Sequence, residues 1–310
     1  MDVKKELFGK LDAICKDGAI LATNTSTLDI NEIGAATKRP ESVIGLHFFS
    51  PANVMKLLEE VRTEKTSKSV MASCMALAKR IGKVPAMVGV CEGFVGNRIL
   101  HRRAEQATAL LMEGALPQDV DRVLFDFGLP MGPFAMSDLA GNDVGWRIRQ
   151  GKGVTSPIAD AICELGRFGQ KTGSGYYLYK DGSRTPTPDP IVEDIIVKAS
   201  KDAGIERRSI SDDEILKRCI YPMINEAVKI LEENKAQRPS DVDVVWLNGY
   251  GWPADKGGPM FYGDMVGAQA VLERMENLGA EDAAFTPADT LRKLAAEGGK
   301  FTDIDTGGLK

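Results

Sequence analysis

The 310-residue chain repeats part of itself, and that limits its fold more than any other feature. PQDVDRV (Pro117 to Val123) returns as PSDVDVV (Pro239 to Val245), 122 residues later. GPFAMSDLAG (Gly132 to Gly141) returns as GPMFYGDMVG (Gly258 to Gly267), 126 residues later, so a four-residue insertion separates the copies. Both copies lie in stretches with apolar residues at helical spacing, and two copies indicate a duplication rather than a solenoid. Two related helical units that pack on each other are therefore expected.

The chain ahead of the repeat reads differently. Val3, Leu7, Leu11 and Ile14 predict an amphipathic opening helix that ends at Asp17-Gly18. AILAT (Ala19 to Thr23), Val43 to Phe49, Val54 to Val61 and Val84 to Val90 read as short buried strands, with helices over Ser26 to Ala36 and Ser67 to Ile81. This order is that of the C-terminal half of a doubly wound Rossmann-type α/β domain. From Phe94 the pattern is helical: Phe94 to Met112, Gln118 to Phe127, Pro133 to Arg149, Pro157 to Arg167, and again from Ile191 to Glu297. DGSRTPTPDP (Asp181 to Pro190) reads as a linker. The fold class is thus α/β plus all-α.

Composition sets outer bounds. A net charge of −5 argues against general nucleic-acid binding. No apolar run approaches the roughly 20 residues of a membrane span. The N-terminal MDVKKELFGK lacks the apolar core of a secretory signal, and the terminal GGLK is not an SKL-type tripeptide, so a cytoplasmic location is expected. The five cysteines are scattered without a CxxC pair, as free thiols in a reducing compartment would be, and no metal is expected.

Two histidines could move a proton near neutral pH. His101, beside Arg102 and Arg103 on a helix, reads as a solvated surface residue. His47 ends a strand, where ligands bind in open α/β sheets. A strand–turn–strand path could return Glu59 to its side, to orient the ring and favour its protonated form. Ser26, in NTSTL just after the first strand, is either a site residue or a helix N-cap. Asn97, in CEGFVGNRIL, is either a site residue or a polar helix-start residue.

NTSTLDI, GLHFFSPANVMKLLEEV, CEGFVGNRIL, GLPMGPFAMSDLAG and RFGQKTGSGYY occur in this order. Together they resemble the 3-hydroxyacyl-CoA dehydrogenase family, in the long form of multifunctional fatty-acid β-oxidation enzymes. GWPADKGGPMFYGDMVG resembles the extra C-terminal unit of that form. The resemblance implies residues 1–93 as a partial NAD-binding (Rossmann) domain, 94–185 as the first C-terminal helical domain, and 186–310 as its divergent repeat. It implies His47 as the base toward a substrate 3-hydroxyl, Glu59 as its carboxylate partner, and Ser26 and Asn97 around the substrate oxygens. Asn24 and Ser26 would lie near the nicotinamide of NAD. Acyl-CoA is the implied substrate, with Lys56, Arg98 and Arg102 as candidates for its phosphates. A homodimer, or association with an N-terminal part, is the implied assembly. Related hydroxyacid dehydrogenases with a lysine base fit less well, because histidine holds the matching strand end.

The glycine-rich phosphate loop and the acidic ribose ligand of that family are not found where they would be expected. A local GxGxxA at Gly249, Gly251 and Ala254 is discounted, because Trp252 and Pro253 would block a pyrophosphate. The chain is therefore expected to lack the N-terminal half of the NAD-binding domain, to keep an exposed sheet edge, and to be inactive in isolation. The alternative is a non-catalytic helical dimerisation or scaffold fragment. At the 120-residue offset that aligns ALLMEG with KILEEN, Asn97 falls on Lys217 and Arg98 on Arg218. The second copy is therefore expected to be structural, with only the first lining a site.

Overall fold

The computed structural model describes residues 1–180 and 183–307. Helix α1 (Asp2–Ile14) leads to strand β1 (Leu21–Thr23), α2 (Ile30–Ala35), β2 (Val43–Phe48), β3 (Leu57–Arg62), α3 (Lys68–Arg80), β4 (Val84–Gly89) and α4 (Phe94–Glu113). Helices then follow throughout: α5 (Pro117–Phe127), α6 (Pro133–Ala140), α7 (Asn142–Lys152), α8 (Pro157–Glu164), α9 (Pro190–Asp202) and α10 (Asp212–Glu232). The last are α11 (Pro239–Gly249), α12 (Pro259–Val266), α13 (Ala268–Glu281) and α14 (Asp289–Glu297).

The contacts group into two compact units that cut across both sequence copies. One takes residues 1–102 with the chain from Tyr221 onward; the other takes Arg103–Ile220.

In the first unit the sheet order is β1-β2-β3-β4, with β1 parallel to β2, β2 antiparallel to β3, and β3 parallel to β4. Strand alternation sorts the side chains onto two faces. Ile44 packs with Val70, Cys74 and Met87 on the α3 face, joined by Leu46, Met71 and Met75. Gly45, on the other face, is closely approached: a Cβ there would lie 2.3 Å from Ile30 Cδ1 and 2.9 Å from Val61 Cβ. The β4 edge is covered by the chain before α11, where Gly89 N donates to Lys235 O at 2.7 Å and Val88 bridges Ala236. Beyond β1 no further strand pairs among the described residues, and α1 leaves Val3, Leu7 and Ile14 exposed.

Several boundaries differ from those predicted. The strand expected from Val54 begins at Leu57, because Val54 N and Met55 N turn back onto Pro51 O. The helix expected from Ser26 begins at Ile30. Its N-cap is Asp29, whose side chain accepts from Asn31 N at 2.7 Å, so the N-cap reading of Ser26 is replaced. The helix expected over Pro133 to Arg149 breaks at Gly141, which sits at φ 97°.

In the second unit, Asp138 explains the aromatic run after the glycine-rich turn. Its carboxylate accepts from Tyr176 N, Tyr177 N, Tyr179 Oη and Asn142 Nδ2 at 2.8–3.0 Å. The expected linker is tied down where it is described. Leu178 and Thr187 exchange backbone bonds, and buried Asp189 caps α9 and pairs with Arg167 at 2.6 Å. Asp181 and Gly182 of that stretch lie outside the described residues.

The duplication is visible in the bonding of each unit. In the first, Arg98 bonds Glu226 and Glu233; in the second, Arg218 bonds Gln106 and Glu113. These positions correspond at the 120-residue offset, so each copy's arginine meets the other copy's glutamate. Asp121 accepts from Phe134 N and Ala135 N at the start of α6, and Asp243 from Met260 N and Phe261 N at the start of α12. Burial raises both acids, Asp121 to about 6 and Asp243 to about 7.

Glu60 is the outlier of the α3 face. It is wholly buried, neither carboxylate oxygen has a hydrogen-bond partner, and burial raises its pKa from 4.5 to about 7. An acid whose folded pKa is raised favours folding while protonated, and destabilises the fold progressively as pH climbs from the unfolded to the folded value. Replacing it with an apolar side chain of similar length should therefore stabilise the protein more at high pH. Glu60→Met is expected to gain about 2 kcal/mol more at pH 8 than at pH 5, read by urea unfolding. Equal gains at both pH values would contradict the buried, unpaired carboxylate.

Candidate active site

The antiparallel pairing of β2 and β3 sets His47 directly opposite Glu59. Both point to the face away from α3, as strand alternation requires. His47 Nδ1 lies 2.7 Å from Glu59 Oε2, and Glu59 Oε1 accepts from the backbone N of Gly96 at 2.9 Å. His47 is 7% exposed and Glu59 0%. The carboxylate thus spans two strands and the first turn of α4, where unpaired helix N–H groups favour negative charge.

With Nδ1 committed to the carboxylate, the neutral ring carries its proton there and presents the Nε2 lone pair. The ring lies against Phe49 at 4.6 Å and Phe94 at 5.5 Å between centroids, which shields it from water. The pair can accept a proton at Nε2 and hold the resulting imidazolium beside a fixed carboxylate.

The helix α4 reaches the pair through an unusual start. Gly93 and Phe94 both have positive φ, 76° and 52°. Gly96 must remain bare, because a Cβ there would fall 2.4 Å from both Cε2 and Oη of Tyr250. Asn97 follows, half-buried, with Oδ1 accepting from Tyr250 Oη at 2.8 Å. The turn containing Ala52 and Met55 is held by Lys83, whose Nζ donates to both carbonyls.

His47, Glu59 and Asn97 therefore gather on one side of the sheet. Asn24 and Ser26 lie just past the end of β1, which runs parallel to β2, so both share the sheet end that carries His47. Both are exposed, and among the described residues neither bonds to the cluster. Arg98 and Arg102 are not free for phosphates: Arg98 pairs with Glu226 and Glu233, and Arg102 with Glu226. Lys56 is exposed, as is His101.

From the second copy, which is expected to be structural, Tyr250 reaches Asn97 and Phe49. Tyr250 follows α11, stacks on Trp246 at 4.4 Å, meets Phe49 edge-on at 5.4 Å and bonds Asn97. Sequence reasoning missed it because the first copy has no side chain there to point to it: at the 122-residue offset Tyr250 falls on Gly128. The discounted GxGxxA is part of this same packing: a Cβ on Gly249 would lie 2.4 Å from Leu57 Cδ2, and Trp252 is buried.

The family model for the 3-hydroxyacyl-CoA dehydrogenase NAD binding domain matches residues 1–91, and that for the C-terminal domain matches residues 93–179 and 215–304. The first match gives no support to the expectation that half of the NAD-binding domain is missing, nor to the inactivity inferred from it. A human peroxisomal bifunctional enzyme is 48% identical over 320 residues, 96% of this chain. The chain spans 44% of that relative's length. A crystal structure of the dehydrogenase part of multifunctional enzyme 1 from C. elegans is similar with TM-score 0.69 and 34% identity, covering 94% of this chain and 68% of that one. A 3-hydroxybutyryl-CoA dehydrogenase from Escherichia coli gives TM-score 0.79 and 26% identity over 96% of this chain and 79% of its own.

The two bonds to Glu59 set the cost of removing it. Glu59→Ala leaves the Gly96 N–H and the His47 ring unpaired in a dry site and should cost about 3 kcal/mol, measured by urea unfolding. Glu59→Gln keeps an acceptor and should cost less than half as much. Equal losses would mean that the negative charge, which both variants lack, holds the site and the acceptor position does not.

Proposed function

The chain belongs to the 3-hydroxyacyl-CoA dehydrogenase family, and on that footing we propose that it carries the substrate-side chemistry of NAD-dependent oxidation of (S)-3-hydroxyacyl-CoA to 3-oxoacyl-CoA in fatty-acid β-oxidation. The observation that carries the reading is the buried His47–Glu59 pair, at 2.7 Å, with Nε2 left for proton transfer.

In this reading His47 Nε2 takes the proton of the substrate 3-hydroxyl as hydride leaves C3. Glu59 holds the ring and stabilises the imidazolium. Asn97 donates from Nδ2 to a substrate oxygen, and Ser26 bonds a second. Phe49 and Phe94 keep water from the ring, which strengthens these interactions.

NAD, the cofactor that the family implies, supplies the hydride acceptor. The nicotinamide end fits the chain: Asn24 and Ser26 present exposed polar side chains at the sheet end that carries His47. Among the described residues no glycine-rich turn after a strand opens a helix for the pyrophosphate, so no residue is assigned to that end. No helix among the described residues is long and apolar enough to cross a membrane. Several relatives carry peroxisomal names, which supports a peroxisomal setting in place of the cytoplasmic one expected from composition.

The test is acetoacetyl-CoA reduction by NADH, followed spectroscopically. His47→Ala should lower kcat by at least about 100-fold, the usual worth of a positioned base, with acetoacetyl-CoA affinity near that of the parent; because it leaves a buried Glu59 oxygen unpaired it should also lower the melting temperature, so turnover is read well below the variant's unfolding transition. A His47→Ala protein that turns over normally would remove His47 from the mechanism.

A further inference from the structure

Tyr250 belongs to the second copy, yet its hydroxyl ends on a residue of the first. At the 122-residue offset of the PxDVDxV motif its counterpart is Gly128, so the first copy has no such group. The ring has little freedom. Trp246 stacks on it at 4.4 Å with an interplanar angle of 24°, and Phe49 meets it at 5.4 Å and 78°. The bare Cα of Gly96 closes a third side. These contacts fix where Oη lies, and Oη donates to Asn97 Oδ1 at 2.8 Å.

The consequence concerns the amide of Asn97. A primary amide offers an acceptor on one end and two donors on the other, and it can rotate to exchange them. In the arrangement found, Oη donates to Oδ1 and commits that end of the amide. Nδ2, with both its hydrogens, is then the end available to a ligand. An oxygen of an acyl substrate needs a donor, and most of all as negative charge develops on it. The same turn of α4 donates Gly96 N to Glu59, so a residue that places Asn97 also bears on the turn that holds the catalytic carboxylate.

We propose that Tyr250 is a positioning residue: it orients the Asn97 amide so that Nδ2 faces the acyl oxygen of the substrate, and the second helical copy thereby completes the site. This rests on the dehydrogenase reading above. In this role Tyr250 acts through Asn97.

The experiment is a double-mutant cycle with Tyr250→Phe, Asn97→Ala and the double variant. Titration calorimetry with acetoacetyl-CoA gives the primary readout, because binding needs no NADH. Tyr250→Phe keeps the ring, so its melting temperature should match the parent. Each single variant should bind acetoacetyl-CoA about tenfold more weakly, the worth of one hydrogen bond, and the double variant no more weakly than Asn97→Ala alone. In NADH-coupled turnover the same pattern should appear in kcat, with Tyr250→Phe retaining the parent's pH profile. Independent losses that multiply to about a hundredfold would overturn the proposal, because Tyr250 would then act elsewhere than through Asn97. So would a Tyr250→Phe protein with unchanged affinity and kcat. Full activity in His47→Ala, or no acetoacetyl-CoA binding by the parent, would instead sink the dehydrogenase reading and this proposal with it. Loss at His47 with no effect at Tyr250 would sink the positioning role alone.

Discussion

A single buried carboxylate organises the site. Glu59 is fully enclosed, and each of its oxygens has one partner: the His47 ring on β2 and the Gly96 peptide on α4. Burying a charge is unfavourable unless its hydrogen bonds are made. The pairing register of β2 and β3, the start of α4 and the absence of a side chain at Gly96 must therefore all be right at once. The positive φ values at Gly93 and Phe94 lie just before that peptide, where a strained backbone turns the chain from β4 into the helix. Glu60, one residue on, shows the contrast. It points to the α3 face among methionines and a buried cysteine, finds no partner, and favours its neutral form.

The duplication gives each copy the same internal fastenings and then lets them diverge at the site. Asp121 and Asp243 hold equivalent helix starts, and Arg98 and Arg218 meet equivalent partners from the other copy. Asn97 has Lys217 as its counterpart, and Lys217 pairs with Asp213 within its own helix at 2.7 Å. Tyr250 has no hydroxyl-bearing counterpart. The scaffold is thus common to both copies, while the polar groups near His47 come unequally from them. The covered edge of β4 follows the same pattern, because the chain before α11 supplies the backbone groups that pair with Val88 and Gly89.

The amino-acid sequence by itself determined the alternation of strand and helix, the duplication, and the pairing of His47 with Glu59. Those depend on local signals: apolar periodicity, turn residues at Pro51, and a strand–turn–strand path short enough to fix its own register. It misplaced the ends of α2 and β3, because an Asp29 cap and a turn onto Pro51 compete with apolar spacing there. It also offered Arg98 and Arg102 as phosphate ligands, since nothing local shows that Glu226 and Glu233 will take them. What only the tertiary structure decided is the meeting of Asn97 with Tyr250, 153 residues apart. That contact depends on how α11 packs on β3 and β4 and on the missing side chain at Gly96, and no periodicity along the chain encodes the distance between two surfaces that touch only after folding.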